Sequence, residues 1–173
     1  DWMVALTSES GGWISLPANV ENLEVMSGYN YYASATLYGN DLDNIIRISG
    51  GSNFGGGVSI NGGQGADTMI GSWEGTGVNY VVDNPGDRIL HHFGVGNGGS
   101  FTSIGSVTSS ISYVLGDGLS NLYLSGSDAI NGTGNVFNNF LFGNSAANVL
   151  TGGMGDDTYG LGIGDTYVEN ANE

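Results

Sequence analysis

Between residues 134 and 169 apolar and polar positions recur every nine residues, in four abutting units: GNVFNNFLF, GNSAANVLT, GGMGDDTYG and LGIGDTYVE. The eighth place holds Leu141, Leu150, Tyr159 or Val168, and the sixth holds Asn139, Asn148, Asp157 or Thr166. This period is too short for a helix pair or a propeller blade, and it predicts one tight turn and one very short strand per unit. Two units then make a coil. The large residue in the eighth place points into a narrow core, and glycines supply the positive φ that a six-residue turn demands. A single unit buries almost nothing, so the fold must be a stack of coils.

The same plan, less regular, runs upstream. ENL at 21–23, GNDLDNIIR at 39–47, GGQGADT at 62–68 and the Gly86-Asp87 pair match SNL at 120–122, GNVFNNFLF at 134–142, GGMGDDT at 152–158 and the Gly164-Asp165 pair. Two blocks follow, 1–99 and 100–173, expected to form one continuous solenoid. The separation between matching landmarks shrinks from 99 residues (Leu23 to Leu122) to 78 (Gly86 to Gly164), so the first block carries extra residues. They are expected as loops at SGGSNFGGGVSI (49–60) and around 70–79, where GSWEGTGVN has Thr76 in the sixth place. Residues 91–103 have the Gly and Ser content of a loop, and 106–115 resume β-branched alternation. Val20, Leu23 and Val25 in the first block, and Leu122, Leu124 and Ile130 in the second, are the expected inward residues; 29–38 (YNYYASATLY) is an aromatic-rich departure. No window carries an apolar stripe at helical spacing with capping residues. The reading is all-β: a parallel β-roll or β-helix solenoid of short strands with Gly-rich turns and looped insertions.

Composition supports a folded chain. Of 173 residues 33 are Gly and only 2 Pro, yet 39% are hydrophobic and 10% aromatic, which argues for a packed core over low complexity. Cysteine is absent, so no disulfide staples the coils. The net charge is −15, from 17 acids against 2 bases. Such a surface repels nucleic acid and anionic membranes and favours cations, divalent ones foremost. No apolar run reaches the roughly 20 residues needed to span a bilayer. With no initiator Met and no signal peptide at Asp1, the chain is expected to be a piece of something longer.

GGMGDDTYG at 152–160 and GGQGADTMI at 62–70 carry the fixed residues of the repeat Gly-Gly-x-Gly-x-Asp-x-apolar-x. On these residues the chain resembles the repeats-in-toxin (RTX) family with its calcium-binding β-roll, and the resemblance covers nearly the whole chain, with many degenerate units. What it implies is calcium held at turn corners by peptide oxygens and a sixth-place carboxylate. Carried onto this sequence, the candidate ligands are Gly62, Gly63, Gly65 and Asp67 with Asn44, and Gly152, Gly153, Gly155 and Asp157 with Gly134 and Asn139. In the family's roll a site lies between one unit and the next but one, so Asp157 should face Asn139, Asp67 should face Asn44, and Asn148 should face Thr166. The amides Asn44, Asn139 and Asn148 stand where the family has Asp, and each lost charge lowers affinity; a ladder of stacked asparagines is the competing reading for those units. Asp87 and Asp165 either close turns or lend a further carboxylate. Weak sites follow, near the roughly 10⁻⁴ to 10⁻³ M of extracellular modules.

Catalysis finds little support. His91 and His92 are adjacent and on a strand would face opposite ways, no Cys nucleophile or Gly-x-Ser-x-Gly elbow is present, and without Lys no glycine loop can serve as a phosphate loop. Tyr29, Tyr31, Tyr32, Trp73, Phe93 and Phe101 fall in stretches that depart from the repeat, which makes extracellular polysaccharide a candidate partner; packing against a distorted coil is the alternative. Two functions stay open. One is a structural or adhesive segment of a large secreted RTX protein, outside the cell or at its surface, partnered by calcium and by neighbouring repeats of the parent chain. The other is a calcium-dependent folding and secretion module attached to an exported lipase, protease or epimerase.

Overall fold

A computed structural model describes residues 1–7, 12–27, 34–49, 57–71, 77–91 and 105–169. Every regular element among them is a strand, and every pairing is parallel. The chain forms two compact units, Asp1–Ile104 and Gly105–Glu173.

In the first unit β1 (Trp2–Thr7), β3 (Asn22–Ser27), β5 (Ile45–Ser49), β7 (Thr68–Ile70) and β9 (Arg88–Leu90) build one sheet. The strands between them in sequence, β2 (Gly12–Ser15), β4 (Ala35–Tyr38), β6 (Val58–Asn61) and β8 (Val78–Val82), build a second. Consecutive strands thus alternate between sheets, which is the path of a solenoid with two strands per coil. Leu23, Ile46, Met69 and Ile89 lie in register, so successive coils take 23, 23 and 20 residues. Facing them, Leu37, Ile60 and Tyr80 form a second column. Leu23, Ile46, Met69, Leu37, Ile60 and Tyr80 are all fully buried. Burying a side chain of this size stabilises by about 1.5–3 kcal/mol, and the gain accrues only when coils are stacked.

The second unit repeats the arrangement with shorter coils. β10 (Gly105–Ser109), β12 (Leu119–Leu124), β14 (Phe140–Phe142) and β16 (Thr158–Gly160) form one sheet; β11 (Tyr113–Val114), β13 (Gly132–Thr133), β15 (Val149–Thr151) and β17 (Thr166–Val168) form the other. Leu122 pairs with Leu141 and Leu141 with Tyr159, the last step being 18 residues, two nine-residue units. Leu122, Leu141 and Leu150 are fully buried, as the eighth-place pattern requires.

Two expectations are corrected. Residues 35–38, read as part of a departure from the repeat, are β4, with Ala35 and Leu37 inward and in register with Val58 and Ile60. Val168, the apolar eighth residue of the fourth unit, pairs with Thr151 and not with an inward residue; Tyr167, itself 57% exposed, takes the register position opposite Leu150. The turn before β17 is one residue shorter than the nine-residue frame, and one residue of slip reverses which side chains face the core. The expected insertions at 49–60, 70–79 and 91–103 fall largely on residues outside those described.

Candidate functional site

The corners where coils turn are built from two kinds of hexapeptide. Gly-Asn-x-x-x-Asn occurs at 39–44, 134–139 and 143–148. In each, the first asparagine braces its own turn and the coil before it. Asn40 Oδ1 accepts from Leu42 N at 3.0 Å, while its Nδ2 donates to the carbonyls of Pro17 and Val20 at 2.7 and 2.8 Å. Asn135 does the same with Phe137 N and the Gly116 and Leu119 carbonyls, and Asn144 with Ala146 N and the Ser125 and Asp128 carbonyls. The last asparagine closes the turn: Asn44 Oδ1 accepts from Asn40 N at 2.8 Å, and Asn44 Nδ2 donates to the Glu21 carbonyl at 3.1 Å. Asn139 and Asn148 repeat both bonds, with Asn148 Nδ2 reaching the Ile130 carbonyl at 2.6 Å. The bracing role of Asn40, Asn135 and Asn144 was missed by sequence reasoning, although the spacing Gly-Asn-x-x-x-Asn repeats in plain view.

The second hexapeptide is Gly-Gly-x-Gly-x-Asp, at 62–67 and 152–157, and each copy stacks on a Gly-Asn turn. A Cβ on Gly63 would lie 2.3 Å from Asn40 O, and one on Gly153 would lie 2.3 Å from Asn135 O. Gly63 and Gly65 have φ of 90° and 109°, and Gly153 and Gly155 have 110° and 99°, in the left-handed region that side chains avoid. Two features, close approach and backbone hand, therefore demand the same glycines.

The aspartates complete the stack in the opposite chemical sense to the asparagines. Asp67 Oδ1 accepts from Asn44 N at 2.8 Å, and Asp157 Oδ1 accepts from Asn139 N at 2.7 Å, so the expected pairs Asp67 with Asn44 and Asp157 with Asn139 are in contact. The five extra residues of the first block leave this contact intact. In each pair, the asparagine donates to a carbonyl of the coil before it, and the aspartate accepts from an amide of the coil before it. Asn148 meets Thr166 through the backbone bond from Thr166 N to Asn148 O, but its backbone N donates to Asp165 Oδ1 at 2.8 Å. Asp165 Oδ2 also accepts from Gly162 N at 2.7 Å. Asp87 is placed alike: Oδ1 accepts from Asp67 N, and Oδ2 from Asp83 N and Asn84 N. Both carboxylates close turns and extend the ladder.

Two oxygens stand apart. Asp67 Oδ2 and Asp157 Oδ2 are buried and accept no hydrogen bond. At Asp67 the reason is local: Gly63 N, the counterpart of the amide that Asn44 Oδ1 holds, donates instead to Asn61 Oδ1 at 2.9 Å. A Cβ on Gly62 would lie 2.0 Å from Asp67 Oδ2, and one on Gly152 would lie 2.0 Å from Asp157 Oδ2, so each oxygen sits in space that only glycine leaves. Burial pushes the Asp67 carboxyl up to about 7; the bond from Asn44 opposes this, and the negative charges of Asp87, Asp83 and Asp43 add to it. Asp157 is raised for the same first reason, with Glu169 and Asp156 contributing. A buried acceptor without a partner costs about 1–3 kcal/mol.

An unpaired carboxylate oxygen beside glycine peptide groups fits a hard cation, which takes oxygen ligands and tolerates irregular geometry. Among the described residues, no group of three or more His, Asp or Glu is placed to hold a metal ion. Each corner therefore offers one carboxylate, and other ligands would be peptide oxygens. His91 Nδ1 lies 2.8 Å from the hydroxyl of buried Tyr80. Tyr29, Tyr31, Tyr32, Trp73, Phe93 and Phe101 lie outside the described residues.

Fold and corners together define a parallel β-solenoid whose coils are tied at their edges by alternating asparagine and aspartate turns. No family model, no curated protein and no solved structure matches the chain.

Proposed function

We propose that this chain is a calcium-responsive solenoid segment of a secreted RTX-type repeat protein, with a structural or adhesive role outside the cell. The observation that carries the reading is the pair of buried, unpartnered oxygens, Asp67 Oδ2 and Asp157 Oδ2. They occur in the two hexapeptides that match the Gly-Gly-x-Gly-x-Asp repeat in full, and the Asn-bearing corners leave no such oxygen. Asp67 with the peptide groups of Gly62, Gly63 and Gly65 would hold one ion, and Asp157 with those of Gly152, Gly153 and Gly155 a second. The ion supplies the positive charge that the orphaned oxygens lack. The protein's own residues supply the rest of the cohesion: Asn44 and Asn139 fix the carboxylates through Oδ1, and the flanking asparagines lock the coil below. Because a carboxylate in this setting is costly without the ion, binding contributes folding free energy.

The test is urea unfolding followed by circular dichroism in chelator and in millimolar calcium. A midpoint that rises with calcium, and more than with equal magnesium, is expected. Identical midpoints in calcium and chelator would remove the ion from the account.

A further inference from the structure

Among the described strands Glu24 is the only acid. Strands β2, β4, β6, β8, β10, β12, β14 and β16 contain no Asp, Glu, Lys or Arg at all. In the second unit the outward positions of this series are aromatic, amide or hydroxyl. Phe140 lies between Asn121 and Thr158 in register, and Tyr123 pairs with Phe142. Phe140 is 47% exposed and Tyr123 40%. The Tyr123 and Phe142 rings stack, with centroids 5.0 Å apart and planes 11° apart, and Phe142 covers Gly160, where a Cβ would lie 2.1 Å from the ring. Asn121 is held by its bond to Ser106 Oγ at 2.9 Å. The first unit has a face of the same make-up, with Trp13, Thr36, Ser59 and Asn79 in one register row and Trp13 76% exposed.

We infer that this uncharged strand face of the second unit, centred on Tyr123, Phe140 and Phe142, binds neutral polysaccharide. Both strand series of the second unit are free of charge, so neither is built for a cationic or anionic partner, and this one carries the stacked Tyr123 and Phe142 rings beside exposed Phe140. Rigid rings present broad apolar surface at little entropic cost, and adjacent amide and hydroxyl groups can meet the hydroxyls of a sugar.

Affinity electrophoresis through gels containing hydroxyethylcellulose, xylan or galactomannan, with polygalacturonate as the anionic comparison, tests this in calcium-containing buffer. Retardation by at least one neutral polymer and none by polygalacturonate is expected. The Tyr123→Ala/Phe140→Ala variant should bind at least tenfold more weakly while it keeps the wild-type strand circular dichroism and a cooperative urea transition, its midpoint lowered only modestly by loss of the ring stack on Phe142. If none of the three neutral polymers retards the protein, or the variant is retarded as the wild type is, the inference fails. It fails equally if sedimentation shows a dimer that the variant abolishes, which would make the face a protein interface. None of these outcomes depends on whether the turns bind calcium.

Discussion

Replacing Asp67 by Asn separates the two roles of that carboxylate. The amide keeps the shape, and its oxygen can still accept from Asn44 N, so the ladder bond of 2.8 Å survives. What changes is the buried, unpartnered position, where a neutral NH₂ replaces an oxygen that is charged above its pKa of about 7. At pH 8, moving a carboxyl from 3.8 to about 7 corresponds to an upper limit of about 4 kcal/mol at 1.36 kcal/mol per unit. The acidic denatured chain raises its own carboxyl pKa values, and the new amide is itself unpaired, so a gain of about 1–2 kcal/mol is expected in chelator. In calcium the order reverses. Wild type gains about 2.7 kcal/mol per independent site at 100 times the dissociation constant, and the variant forgoes one site. Urea unfolding at pH 8, with and without chelator, reads both effects: Asp67→Asn more stable than wild type without calcium and less stable with it. A variant that is weaker in chelator and keeps the full calcium increment would show that Asp67 is only a hydrogen-bond acceptor.

Three other outcomes follow from the same geometry. In chelator, stability should fall as pH rises from about 5 through 7: a carboxyl whose folded pKa is raised favours the folded state while protonated, and this is lost as the proton leaves near 7. Thermal melts across that range check it, and a flat or rising profile would refute it. Asn148→Asp should cost about 1–3 kcal/mol, because the donor to the Ile130 carbonyl at 2.6 Å becomes an oxygen facing an oxygen, and Asn148→Ser should cost less. Gly63→Ala should cost more than about 2 kcal/mol by urea unfolding, given φ of 90° and a Cβ that would meet Asn40 O at 2.3 Å, whereas Gly126→Ala, also at positive φ but with open space around it, should cost only the backbone term.

The period was legible because it is local. Nine residues encode a turn and a strand, and parity within each strand selects its buried side, so the all-β solenoid, the two-unit coil and the inward Leu141 and Leu150 could be read from residues 134–169 alone. Where the frame slips by one residue before Asp165, the same reasoning misplaced Val168, since a local pattern carries no record of how long the neighbouring coil is.

What the chain by itself determined is the repeat and the glycines at its turns. Only the folded structure decided which backbone group of the neighbouring coil each corner side chain meets, because those partners lie 16 to 23 residues away and depend on coil length. Asn44 and Asp67 look interchangeable in the repeat, yet one finds a partner for every polar atom and the other is left with a bare oxygen. That difference arises from the direction in which a single peptide amide, Gly63 N, points.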